Sequence, residues 1–261
     1  MNLSNVQLNN SFNLNQVIKV ITGINNTNIH QVTKVATAAE LAGASYLDIA
    51  ANVKLVKSLK PHTCLPLCIS SIDPIEIYNC VAAGADLVEI GNYDPFYKNN
   101  IYITSEQLVS LVKEVKILIG SYDICVTIPY HMNLHDQIKL ARELEDLGVN
   151  FLQTEGSYST YRLSYDNGLF SSLLSTYYIS HNISIPLITS SSVNSVFSNL
   201  PLYYGASGLG IGTAVKDKEC VYNMVTYLKN IKSSMAHNLN HDVKLFNMKY
   251  NYNDLTQLIN Y

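Results

Sequence analysis

Two hydrophobic rhythms alternate along the chain. Short apolar runs at Val17 to Thr22, Leu67 to Ser70, Ile124 to Thr127 and Leu187 to Thr189 read as strands buried on both faces, as in a parallel sheet. Four more strands come from an internal repeat, in which a glycine closes a helical pattern and a strand follows: Gly43 before Tyr46-Leu47-Asp48-Ile49-Ala50, Gly84 before Leu87-Val88-Glu89-Ile90-Gly91, Gly148 before Phe151-Leu152-Gln153-Thr154-Glu155, and Gly205 before Gly208-Leu209-Gly210-Ile211-Gly212. Helical spacing fills the intervals. Ser105 to Ile119 places Leu108, Leu111, Val112, Val115, Leu118 and Ile119 on one face behind the capping box Thr104-Ser105-Glu106-Gln107. Asp73-Pro74-Ile75-Glu76 opens a second helix and Asn133 caps Leu134 to Leu147. Ile29 to Leu41, Val53 to Lys60, Leu169 to Ser180, Val193 to Asn199 and Asp217 to Met235 supply the others.

Strict alternation of eight strands and eight helices predicts a single (β/α)8 TIM barrel over residues 17–235. A doubly wound open sheet is the alternative. Residues 1–16 are expected to cover the barrel floor. Residues 236–261 form an Asn-rich extension, in which Leu255, Leu258 and Ile259 would dock one short helix.

Composition narrows the picture. With 48% apolar and 14% charged residues and a net charge of −3, the chain is globular and a poor generic nucleic-acid binder. No apolar stretch reaches the ~20 residues of a membrane span. The first residues carry no basic region or long apolar run, so neither a secretory signal nor an Arg-rich transit peptide is expected. The five cysteines read as free, buried thiols of a reducing compartment. The 28 Asn and 19 Tyr, and the preference for Lys over Arg, follow AT-rich codons, as in an organelle genome or an AT-rich bacterium.

The motifs SYLDIAANVKLV (45–56), CISSIDPIEIYNCVAAGADLVEIGNYD (68–94), DICVTIP (123–129) and FLQTEG (151–156) resemble the hypothetical chloroplast open reading frame twenty-three family of algal plastids and cyanobacteria. The resemblance covers residues 17 to 232. It implies an aldolase-type barrel and a plastid stroma location, and brings no reaction and no assigned catalytic residue.

Active sites of such barrels lie at the C-terminal strand ends. Alternation puts Asp48, Glu89, Gln153 and Gly210 in one interior layer and Ala50, Gly91, Glu155 and Gly212 at the mouth. The opposite phase would bury both acids among apolar helices, at several kcal/mol each. Lys19, inside an apolar strand, needs an anion or a depressed pKa. It is part of a Lys19–Asp48–Glu89 ion-pair plug, an amine acting as Schiff-base nucleophile or acid/base, or a side chain that snorkels outward. Catalytic candidates are thus Lys19, Asp48, Glu89 and Glu155. Ser190 and Ser191 after strand seven, with Gly210, Gly212 and Thr213 at strand eight, are candidates for holding phosphate. Lesser candidates are Asn52, Asn92 and Thr127 at strand ends, Cys68 and Cys125 as interior thiols, and Tyr158 and Tyr161 as lid residues. Asp73 reads as an N-cap. His131 and His135 lack an evident third ligand, so no metal is assigned, and no cofactor is called for. Two functions fit: a lyase, isomerase or synthase acting on a phosphorylated small metabolite, and a non-catalytic barrel binding such a metabolite or a stromal protein. The oligomeric state is not readable.

Overall fold

The computed structural model describes residues 3–91, 93–156, 166–190, 195 and 197–236. Its elements run α1 (Val6–Asn13), β1 (Val17–Ile21), α2 (Ile29–Ala42), β2 (Tyr46–Ala50), α3 (Val53–Leu59), β3 (Leu67–Ser71), α4 (Pro74–Ala82), β4 (Leu87–Ile90), α5 (Asp94–Tyr97), α6 (Ser105–Ile119), β5 (Asp123–Ile128), α7 (Leu134–Asp146), β6 (Phe151–Glu155), α8 (Asp166–Ser180), β7 (Leu187–Ser190), α9 (Leu200–Tyr203), β8 (Gly208–Ile211), α10 (Thr213–Lys216) and α11 (Val221–Met235). The strands pair in parallel in chain order, and β8 closes on β1 with Lys19 opposite Gly210. The sheet is a closed barrel, so the open-sheet alternative is excluded. The repeat glycines have the predicted role. Gly43 ends α2 at φ 69°, and Gly84, Gly148 and Gly205 also have positive φ, which a side chain would resist.

Strand alternation creates two cores. Ile18, Val20, Leu47, Ile49, Val88, Ile90 and Leu152 face the helices in one large apolar cluster. Val17, Tyr46, Cys68, Leu87, Cys125, Phe151 and Ile188 fill the lower barrel interior and meet Leu3, Leu8 and Phe12. The last two come from α1, which sequence patterning did not reveal as a helix. Asn5 caps it by accepting from the Leu8 N–H at 2.9 Å, and the Phe12 ring lies 4.8 Å from that of Phe151. Asp123 anchors the same segment, accepting from the Ser4 N–H at 2.9 Å and from the Ser4 hydroxyl.

Three expectations need correction. The helix expected from Asp217 starts later: Asp217 is the C-cap of the short α10, and α11 starts at Val221 after an extended Cys220. Asp217-Lys218-Glu219 contains no glycine or proline to announce that break. Between β7 and β8 the helix among the described residues is α9, beginning at Leu200 just where Val193 to Asn199 was to end; 191–194 and 196 lie outside the described residues. Finally, Cys68, Cys80 and Cys125 are buried, but Cys64 and Cys220 are exposed. The extension from 237 onward is also outside the described residues.

Candidate functional site

Above the apolar floor, the barrel interior turns polar. Lys19 of β1 is fully buried at 0% exposure, and its ammonium meets three acceptors. These are Asp48 Oδ2 of β2 at 2.9 Å, Glu89 Oε2 of β4, and Gln153 Oε1 of β6 at 2.9 Å. The carboxylates have further donors. Ser70 of β3 donates to Asp48 Oδ1 at 2.6 Å, while Thr127 of β5 and the Gln153 amide donate to Glu89 Oε1 at 2.9 and 3.0 Å. Six strands thus contribute to one satisfied network, which is what permits charge in so dry a place. Asp48 and Glu89 point inward, and Gln153 joins their layer as the alternation predicts.

Electrostatics follows from burial and pairing. Burial pushes the Asp48 carboxyl up to about 6 against the pull of the Lys19 ammonium, with the Glu89 charge adding to the rise. Burial alone would lower Lys19, but the Asp48 and Glu89 charges outweigh it and hold the amine well above the usual lysine range. A nucleophilic amine needs the neutral form and a free lone pair; Lys19 has neither in this arrangement. Burial also lifts the Cys68 and Cys125 thiols well above their ordinary value, so both stay protonated.

At the mouth, Glu155 is half-buried and accepts from the Tyr97 hydroxyl at 2.7 Å and the Tyr130 N–H at 3.3 Å. Tyr97 and Tyr130 were not anticipated; their signal is visible only once the β4–α6 connection is seen to fold over the β5 end. Gly91 packs tightly, since a Cβ there would stand 2.6 Å from Thr127 Oγ1. Asn52 caps α3 and Asp73 caps α4. His131 precedes α7 and packs among the rings of Tyr97, Tyr102 and Tyr130, while His135 is exposed on that helix.

At the phosphate candidates, Ser190 ends β7 against Gly210, whose Cβ would lie 2.9 Å from the Ser190 Cβ and Oγ. Gly212 leads into α10 and Thr213 is exposed on its first turn. Lys216, on the same turn, was missed: its Nζ lies 3.0 Å from where a Gly23 Cβ would sit, bringing a cation to the mouth end of β1. Ser191, Asn92, Tyr158 and Tyr161 lie outside the described residues.

A cavity of about 400 Å³ opens at the ends of β1 to β3. Ser70, the partner of Asp48, lines it with Ser71, Asn25, Asn52, Glu76 and Phe96 among others.

A closed barrel with a polar interior layer and a cavity at the strand C-termini is of the aldolase-type class. Solved structures share that fold: (S)-3-O-geranylgeranylglyceryl phosphate synthase from Thermoplasma acidophilum (TM-score 0.62, 13% identity, covering 90% of this chain and 99% of that one) and thiamine phosphate pyrophosphorylase from Pyrococcus furiosus (TM-score 0.57, 17% identity, 85% and 98%). Orotidine 5'-phosphate decarboxylase from Pyrococcus horikoshii is similar at a TM-score of 0.61 and 12% identity, covering 84% of this chain and 100% of that one. These likenesses concern the fold. The chain belongs to the family described as protein of unknown function DUF561, whose model matches residues 3–241, and to the ycf23 proteins that its motifs resemble. It is 43% identical to the uncharacterized protein ycf23 of Antithamnion sp. over 96% of this chain and 95% of the relative, and 39% identical to that of Cyanophora paradoxa over 88% and 96%.

Proposed function

We propose that the protein binds a phosphorylated small metabolite across the barrel mouth, and that any chemistry there depends on the carboxylates rather than on a Lys19 nucleophile. One observation carries the second half: the three N–H donors of Lys19 are taken by Asp48, Glu89 and Gln153 at zero exposure. Lys19, Asp48 and Glu89 then organise the interior, and Glu155 lies at the rim. Phosphate is held at the ends of β7 and β8 by Ser190, Ser191, Gly210, Gly212 and Thr213, with Lys216 as countercharge. The fold neighbours, whose names include phosphate-ester enzymes, support this choice by analogy of fold. The family resemblance supports a plastid location, within it the stroma. A non-catalytic binding barrel is the second reading, favoured by the saturation of the ion-pair network.

The test is thermal melting with inorganic phosphate and a panel of sugar phosphates. A ligand at ~100 times its dissociation constant stabilises by about 2.7 kcal/mol. Gly212→Asp places an anion in the cradle and abolishes the shift. No shift with any phosphate, or an undiminished shift in Gly212→Asp, overturns the phosphate site. Borohydride reduction with a bound carbonyl phosphate leaves no mass on Lys19; a trapped adduct there overturns its structural role. Turnover of a bound phosphate excludes the non-catalytic reading.

A further inference from the structure

The cavity over β2 and β3 differs chemically from the β7–β8 rim. Its floor is a run of acceptors. The Ser70 hydroxyl hydrogen is spent on Asp48 Oδ1 at 2.6 Å, so its oxygen offers only lone pairs to anything above it. The Ser71 hydroxyl hydrogen is likewise spent on Glu76 Oε2 at 2.9 Å, and its oxygen accepts from the Asp73 N–H at 3.0 Å, which leaves it one lone pair. Asp73 and Glu76 add carboxylates, and among the described residues no lysine, arginine or histidine lines the cavity. An anionic group here would face carboxylates without a countercharge. The two acids are partly occupied: Asp73 Oδ1 accepts from the Ile75 and Glu76 N–H groups, and Glu76 from Ser71. That tempers the pull on a full cation and leaves uncharged donors as the best match. Asn25, exposed in the β1–α2 connection, and Asn52, whose Oδ1 is spent on the Lys54 and Leu55 N–H groups, bring amide N–H donors to the rim. These serve the oxygen lone pairs of the same hydroxyls. The volume, about 400 Å³, falls in the ~300–1,000 Å³ range of small-molecule sites.

We infer that this cavity is the subsite for the uncharged, polyhydroxylated end of the metabolite, its hydroxyls donating to Ser70 and Ser71. This rests on the phosphate reading above and adds the substrate class: a sugar or polyol phosphate, oriented with its phosphate toward β7 and β8 and its carbon chain toward β2 and β3. Asp48 is a positioning residue here, because it fixes the direction of the Ser70 hydroxyl without touching the ligand.

Four probes of similar length separate the possibilities: ribitol 5-phosphate, n-pentyl phosphate, 5-aminopentyl phosphate and unphosphorylated ribitol, with inorganic phosphate as reference. Calorimetric titration of the full chain should give ribitol 5-phosphate at least about tenfold tighter binding than n-pentyl phosphate, because a site built for hydroxyls is left unpaired by the alkyl chain. Ala51→Phe fills the cavity from a half-exposed loop and should erase that preference while leaving inorganic phosphate unchanged. Asn25→Ala, on the exposed rim, should weaken it in the same direction, and melting midpoints report whether either variant is folded. Equal affinity for the ribitol and pentyl phosphates, tighter binding of the aminopentyl compound, or a preference that survives both substitutions overturns the subsite. Binding of ribitol 5-phosphate should also lose its preference over n-pentyl phosphate as Asp48→Asn reorients the Ser70 hydroxyl, in protein whose melting midpoint shows it folded; an unchanged preference removes the positioning role. If no phosphate compound binds, the phosphate reading fails alone, and the cavity is judged by ribitol: a saturable response lost in Ala51→Phe supports it, and no response overturns it.

Discussion

Replacing Lys19 by methionine keeps the length and apolar stem of the side chain and deletes its charge. In the native barrel the ammonium lies 2.9 Å from Asp48 Oδ2. At an effective dielectric of ~20 that attraction is worth about 6 kcal/mol before desolvation is counted. Methionine avoids the cost of burying the amine, but two carboxylates of 3% and 2% exposure are left without their shared cation. Breaking a buried pair in this way costs about 3–5 kcal/mol, a large share of the ~5–15 kcal/mol of a typical domain. The melting midpoint should fall by roughly 6–20 °C.

The pH dependence makes the test specific. Asp48 has a folded value of about 6 against an ordinary 3.8, so the folded protein holds the extra proton between them. The Asp48 contribution to native stability therefore falls as pH rises through that window, by about 3 kcal/mol. In Lys19→Met the attraction that restrains this rise is gone, so Asp48 takes up its proton at still higher pH. The loss should then be large at about pH 8 and much smaller at about pH 5. Adding Asp48→Asn to Lys19→Met removes the surplus anion and should restore part of the loss. Urea midpoints at the two pH values are the assay. A penalty under ~1 kcal/mol at about pH 8, or one equal at both, would refute the view of Lys19 as the cation that makes the acid layer tolerable.

The other predictions concern packing. Tyr46→Phe should leave stability unchanged or raise it by up to ~2 kcal/mol, because its buried hydroxyl has no hydrogen-bond partner among the described residues; a drop above ~1 kcal/mol in chemical denaturation would show a hidden partner. Phe12→Ala, 2% exposed and stacked near Phe151, should cost about 3–5 kcal/mol in the same assay, and a near-neutral result would mean α1 is no part of the interior core. Gly210→Ala should cost about 1–3 kcal/mol through its 2.9 Å approach to Ser190, and Gly212→Ala, whose nearest contact is 3.5 Å, should cost less; melting curves in the reverse order would contradict the packing of β8 on β7.

The barrel was readable because each of its units carries local signals that agree. The repeat glycines mark helix ends, the capping residues at Asn133, Asp73 and Thr104 mark starts, and the inward acids are forced by the cost of the opposite phase. What escaped reading was stabilised from a distance. α1 has a helical pattern too short to stand out, and it holds because Phe12 meets Phe151 and Ser4 meets Asp123, far along the chain. The break between α10 and α11 carries no glycine or proline signal either, and shows only in the backbone, where Asp217 is the C-cap and Cys220 is extended.

The site divides along the same line. Which side chains enter the interior follows from alternation, so Lys19, Asp48 and Glu89 could be grouped from sequence. What they do depends on where each hydrogen goes, and that is a matter of ångströms. A lysine in an apolar strand reads as a nucleophile or as a plug, and Gln153 taking its third N–H supports the plug proposed above. A serine facing a cavity is a donor or an acceptor until Asp48 is found to take its hydrogen. Both assignments bear on the mouth in the same sense. The charge of the barrel interior is spent inward on itself, leaving an acceptor floor above β2 and β3, while Lys216 stands by the mouth end of β1. On the proposed reading, a ligand carrying hydroxyls at one end and an anion at the other would meet its match in one orientation, with its hydroxyls over β2 and β3 and its anion toward β7 and β8.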